Sequence, residues 1–186
     1  GPEVLSWEHV DVPEPGPGQA RLDIVAAGVN FIDTYHRRGI YPVDLPFTPG
    51  MEGAGVVAAV GEGVHRVAVG DRVAWADQIG SYAEAAVLGV DRLVPVPEGV
   101  GFDVAAATML QGMTAHYLVH DTFPLQAGQR CLIHAGAGGV GLLLIQLAAS
   151  IGAEVFTTVS TEEKAALAAG AGADHVIRYT DADFVE

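Results

Sequence analysis

The hydrophobic residues of this chain change rhythm partway along it. Between Ala20 and Ala27 they alternate, with Ala20, Leu22, Ile24 and Ala26 set against Arg21 and Asp23. A period of two gives a strand one buried and one solvated face, the pattern of an antiparallel sheet. Val4 to Val10 reads as an earlier strand, separated from it by the proline- and glycine-rich DVPEPGPGQ. From Gly50 to Gly89 come three more short runs, GAGVVAAVG, GDRVAWA and SYAEAAVLG, with Gly61, Gly63, Gly70 and Gly80 as corners. Val56, Val57, Val60, Val73 and Trp75 are their expected core. Strands this short and regular predict a compact β-barrel or partly open sheet. Within GVNFIDTYHRRGIYP, Asn30 can cap a short helix carrying Ile32, Tyr35 and His36 before Gly39 stops it.

After Pro95, Pro97 and Gly99 the period lengthens. Phe102 to Ala107 and Thr108 to Val119 carry apolar residues at helical spacing. Beyond them, Cys131 to Ala135, Glu154 to Val159 and His175 to Arg178 read as strands, alternating with helices at Gly139 to Ser150 and Thr161 to Ala169. Strand and helix in strict alternation, with apolar strands, predict the βαβαβ half of a doubly wound parallel sheet. The expected division is a β-rich domain over 1–100 and a partial Rossmann domain over 101–186.

The first expected strand of that second domain runs into HAGAGGVG, which sets Gly136, Gly138 and Gly141 in G-x-G-x-x-G register. Such glycines permit a tight strand-to-helix turn, backbone approach to a pyrophosphate, and close helix packing, with the phosphates on the N–H groups of the new helix. In isolation the motif is weak, since the chain has 24 glycines. Its place between first strand and first helix is what points to a dinucleotide.

Which dinucleotide depends on the tip of the second strand. An NAD site usually places a carboxylate there for the ribose 2′-OH. Here the strand ends Thr157-Thr158-Val159-Ser160, and Lys164 follows one helical turn later. A hydroxyl and an ammonium suit a 2′-phosphate, which a carboxylate would repel. Arg178 and Tyr179, ending the third strand, could close the same pocket. The plainer reading of Lys164 is a surface lysine paired with Glu162 or Glu163. Ser160, Lys164 and Tyr179 together favour NADPH.

Charge and cysteine content narrow the classes further. Nine basic against 23 acidic residues give a net charge of −14, which repels nucleic acid and anionic membranes. The single cysteine, Cys131, allows no internal disulfide and no cysteine-rich zinc site. It is expected to be a small core residue, and the setting to be reducing and cytoplasmic. The opening GPEVLSWEHV lacks the pattern of a signal peptide, and Val140 to Ala149 is too short to cross a bilayer.

The order NFIDTYHRRGIYP, PGMEGAGVV, HAGAGGVG resembles the zinc-free, ζ-crystallin-like quinone oxidoreductases of the medium-chain dehydrogenase/reductase superfamily, over nearly the whole chain. The resemblance implies a GroES-like catalytic domain followed by half of a Rossmann domain, with an opening strand before Gly1 and the rest of the sheet after Glu186. It implies hydride transfer from NADPH to a quinone, with Asn30, Phe31, Asp33, Thr34 and Tyr35 lining the nicotinamide end of the cofactor cleft and Asn30 and Thr114 near the carboxamide. Tyr117, Gly139 and Val140 would lie on the pyrophosphate side, and Ser160, Thr161, Lys164 and Tyr179 at the 2′-phosphate. Tyr35 and Tyr41 are the substrate-side phenols. A homodimer is expected, as relatives commonly pair through a Rossmann sheet edge.

In the superfamily's zinc enzymes a cysteine ligand stands where Asn30 is, and a histidine where Met51 is. Neither Asn30 nor Met51 suits zinc, and the seven histidines fall on separate segments, so no metal is expected. One position departs from the family's usual pattern: Ala149 stands where a basic or serine residue is common. The alternatives are an NADPH-dependent enoyl or alkenal reductase and a non-catalytic, crystallin-like nucleotide-binding protein.

Overall fold

The computed structural model describes residues 1–182 and divides them into two units, the first ending at Leu110 and the second beginning at Gln111. The first unit is built on β1 (Gln19–Gly28), β2 (Glu52–Val60), β3 (Arg72–Ala76), β4 (Ala85–Gly89) and β5 (Val94–Pro95), in spatial order β4-β1-β2-β3-β5. All neighbours are antiparallel. This is the partly open form of the expected sheet. The alternation read in β1 is present: Ala20 and Leu22 are fully buried, packed with Val57, Val73, Trp75 and Leu93. A short helix, α1 (Phe31–Arg37), follows β1 and ends before Gly39, whose φ of +70° a side chain would resist.

The strand expected at Val4–Val10 is not formed. Pro2–Val4 make a single 3-10 turn, and Val4, Leu5, Trp7 and Val10 are exposed. Both edges of β1 are already paired, one with β2 and the other with β4, so alternation at the N-terminus meets no free edge there.

The two expected helical stretches after Gly99 are one helix, α2 (Phe102–Tyr117), closing in a π-turn over Leu118–Thr122. The division between units falls inside this helix, at Leu110/Gln111 rather than near residue 100. Prolines and glycine mark the end of the strands, while the change of packing comes two helical turns later. Ala105 and Ala106, on the first part of α2, bury against Ala54, Ala74 and Val96 of the first unit.

The second unit is the predicted βαβαβ. It contains β6 (Arg130–Ile133), α3 (Gly139–Ile151), β7 (Glu154–Val159), α4 (Glu162–Gly170) and β8 (His175–Arg178), with parallel strands in the order β6-β7-β8. Ile145, Ala148, Val155 and Ala168 are fully buried at its centre. Helix α3 ends on Gly152 at φ +88°, a left-handed glycine cap. Cys131 is only half-buried, packed at the margin of this core rather than inside it, and burial pushes its thiol up from the ordinary value.

Candidate functional site

The glycine turn lies between β6 and α3, and two of its glycines are there for lack of space. A Cβ on Gly136 would run into the Thr157 hydroxyl and come within 3.1 Å of Ile145 Cδ1. A Cβ on Gly141 would strike the Ala135 carbonyl and stand 2.9 Å from Gly136 Cα. Ala135 takes φ +54°, turning the chain directly after the strand. The backbone therefore folds tightly against β7 and leaves the N–H groups of Gly139, Val140 and Gly141 at the open first turn of α3. Gln111 belongs to this turn as well, its amide lying where a Gly139 side chain would be. At the end of β6, His134 Nδ1 is 3.0 Å from Thr158 Oγ1, and Thr157 donates to the Ile133 carbonyl at 2.7 Å. These bonds tie the strand below the glycines to its neighbour. Thr114 and Tyr117 stand on α2, the first half-buried and the second exposed.

At the tip of β7, Lys164 Nζ reaches Ser160 Oγ at 3.2 Å. The acidic partner Glu162 is occupied elsewhere, by Arg178 at 2.9 Å, and Arg178 also holds Asp181 at 2.6 Å. Arg178 is thus neutralised by two carboxylates while the lysine turns to a hydroxyl. Thr161 caps α4, accepting from the Lys164 N–H at 3.3 Å. Thr180 donates to the Ser160 carbonyl at 3.2 Å, and Tyr179 is exposed beside it. Lys164, Ser160 and Thr161 are thus joined by hydrogen bonds at the exposed tip of β7.

The first unit holds a buried polar knot. Glu52, at 0 % exposure, accepts from Asn30 Nδ2 at 2.7 Å and from the Leu110 N–H at 2.6 Å. Gly28 makes room for it, since a Cβ there would strike its carboxylate. Burial raises the Glu52 carboxyl above the usual range, the two hydrogen bonds pull it back in part, and nearby Asp33 raises it again. Asn30 and Asp33 close a capping box on α1, with the Asn30 N–H donating to Asp33 Oδ2 at 2.9 Å. Tyr82 donates to the same oxygen at 2.7 Å, and its phenol is driven far above its ordinary value by burial and by that carboxylate. Asn30 is therefore committed within the fold rather than displayed.

What α1 displays is aromatic. Phe31 is 77 % exposed, the Tyr35 ring meets it edge-on at 5.8 Å, and Tyr41 meets Tyr35 at 5.6 Å and 83°. Thr34 is turned back to the Phe31 carbonyl. Asp33 sits in the polar knot instead of beside these rings. Glu52, Tyr82, Gln111 and Thr157 were not singled out from sequence. A glutamate between Met51 and Gly53 in an apolar strand was the one visible signal among them.

Met51 is nearly buried and the Asn30 amide is engaged by Glu52, so these positions do not fit a zinc ion. Among the described residues no group of three or more His, Cys, Asp or Glu is arranged to hold a metal. The histidines are less scattered than expected: His116 and His120 bring their rings to 4.4 Å across the end of α2. Ala149, the departure from the pattern, packs beside Gly172, where an added Cβ would come within 3.1 Å of the Ala149 Cβ. No described helix is long and apolar enough to cross a membrane.

Comparison with known proteins extends this picture. Residues 16–125 match the alcohol dehydrogenase GroES-like domain family and residues 139–186 the zinc-binding dehydrogenase family. The chain is 48 % identical to a quinone oxidoreductase of Pseudomonas aeruginosa, over 97 % of this chain and 56 % of that protein. It is 45 % identical to a 2-haloacrylate reductase of a Burkholderia species, over 100 % of this chain and 58 % of that protein. The crystal structure of Escherichia coli quinone oxidoreductase complexed with NADPH superposes with a TM-score of 0.97 at 40 % identity, over 100 % of this chain and 57 % of that one. The chain thus spans somewhat over half the length of the relatives it matches.

Proposed function

Because the chain belongs to the medium-chain dehydrogenase/reductase superfamily, we propose that the whole protein is an NADPH-dependent quinone oxidoreductase working without zinc. The observation that carries this reading is the Lys164–Ser160 pair at the tip of β7, with Glu162 drawn away to Arg178. The second unit would hold the nucleotide: the first turn of α3 takes the pyrophosphate on the N–H groups of Gly139, Val140 and Gly141, and Ser160, Thr161, Lys164 and Tyr179 take the 2′-phosphate. Thr114 and Tyr117 would contribute from α2. Bound NADPH supplies the hydride.

In the first unit, Phe31, Tyr35 and Tyr41 offer edge-on aromatic rings and two phenols. The rings suit a flat conjugated acceptor, and the Tyr35 and Tyr41 hydroxyls would donate to a quinone oxygen as it gains charge. A homodimer in a reducing, cytoplasmic setting is part of the same reading.

The 2-haloacrylate reductase likeness favours a second acceptor class, activated double bonds. Steady-state oxidation of NADPH by the full-length protein with 1,4-benzoquinone, 9,10-phenanthrenequinone and an enone separates the two. Turnover with the quinones and not the enone is the expected result. No turnover with any acceptor would leave only a nucleotide-binding role.

A further inference from the structure

The buried carboxylate of Glu52 has no place in the chemistry described above. It is fully buried, and removing an ionisable group from water carries a cost that an apolar residue of similar volume in β2 would avoid. Its geometry shows what the fold gains. A carboxylate accepts hydrogen bonds and cannot donate, whereas the two ends of an asparagine amide are nearly the same shape. Facing Glu52 Oε1 at 2.7 Å, Asn30 must present its Nδ2. Its carbonyl is then left for the N-terminal turn of α1, where the capping box forms with Asp33. The Leu110 N–H holds the other Glu52 oxygen at 2.6 Å, and Gly28 admits the side chain, so the carboxylate cannot turn away.

We propose that Glu52 is a positioning residue for the reductase reaction, fixing the orientation of the Asn30 amide and through it the start of the helix that carries Phe31 and Tyr35. The role rests on the reductase reading for its effect on rate, but not for its effect on Asn30. A glutamine at position 52 keeps the size and loses the one-way character: its own amide must turn an N–H toward either Asn30 or Leu110. The Leu110 N–H is fixed in the backbone and keeps the glutamine oxygen, so the glutamine N–H₂ faces Asn30 and the Asn30 amide flips.

The test uses the full-length protein with E52Q, N30A and both together. Wild type and E52Q are compared by the side-chain amide resonance of Asn30, identified by its disappearance in N30A. Steady-state rates with NADPH and 1,4-benzoquinone are measured on all four proteins. In E52Q the Asn30 resonance is expected to shift, and kcat to fall roughly tenfold with KM for NADPH little changed, while E52Q adds nothing further in the N30A background. An unmoved Asn30 resonance, or losses in kcat that multiply, would overturn the proposal. A shifted resonance in a protein whose wild type reduces no acceptor would retain Glu52 as the determinant of Asn30 and remove the reductase reading. Should E52Q fail to fold, E52M, which keeps the length of the side chain but removes the acceptor, carries the same comparison: an unmoved Asn30 resonance there overturns the proposal equally.

Discussion

Single side chains decide two measurable properties. Lys164 donates its ammonium to Ser160 at 3.2 Å while its acidic neighbour Glu162 is taken by Arg178. Replacing Lys164 with alanine should weaken NADPH binding by roughly tenfold, consistent with one charge-assisted contact at an exposed site, and leave NADH binding nearly unchanged. Calorimetric titration of the full-length protein with both nucleotides measures the difference, and equal loss for the two would count against a 2′-phosphate site. Glu52 decides the other property. Its carboxyl is raised by burial, so the folded state holds its proton to higher pH than the unfolded chain does. Its favourable contribution is therefore complete below the ordinary carboxylate value and is lost as pH rises through the raised one. Denaturant unfolding across that window should show wild type losing stability relative to E52Q as pH increases.

At the level of elements, the glycine turn is a matter of clearance. A methyl group on Gly136 would meet the Thr157 hydroxyl, so Gly136→Ala should destabilise the protein by about 1–3 kcal/mol. The double variant Gly136→Ala/Thr157→Ala should recover part of that loss, as read by thermal unfolding. Three parallel strands and two helices of this unit were legible in the sequence because period, capping glycines and apolar runs agreed. Val4–Val10 carried an equally fair strand pattern and formed none, because a period of two says nothing about whether a partner edge is free. The same limit applied to the candidate site. Ser160, Lys164 and the glycines lie on consecutive elements and could be read in order, whereas the partnership of Glu52 with Asn30 spans 22 residues and that with Leu110 spans 58. Asp33, placed by resemblance at the nicotinamide end of the cleft, also joins the Asn30 and Tyr82 bonds, a partnership no local pattern announces.

On the scale of the molecule there are separate cores, with Trp75, Leu22 and Leu93 in one unit and Ile145, Val155 and Ala148 in the other. Truncating Ile145 to alanine should cost about 2–5 kcal/mol, the usual range for a fully buried aliphatic side chain. Amide exchange should quicken in β6, β7 and β8 while β1 and β2 keep their protection. Uniform loss across both sheets would show that the units unfold together.

The capping box at α1 also bears on redesign. Introducing the superfamily's metal ligands by Asn30→Cys and Met51→His would remove the Asn30 donor to Glu52 Oε1 and set a thiolate beside a buried carboxylate. Exchanging two residues is therefore not enough to make a metal site here. The exchange would have to supply Glu52 with a new hydrogen-bond donor as well as the metal with its ligands.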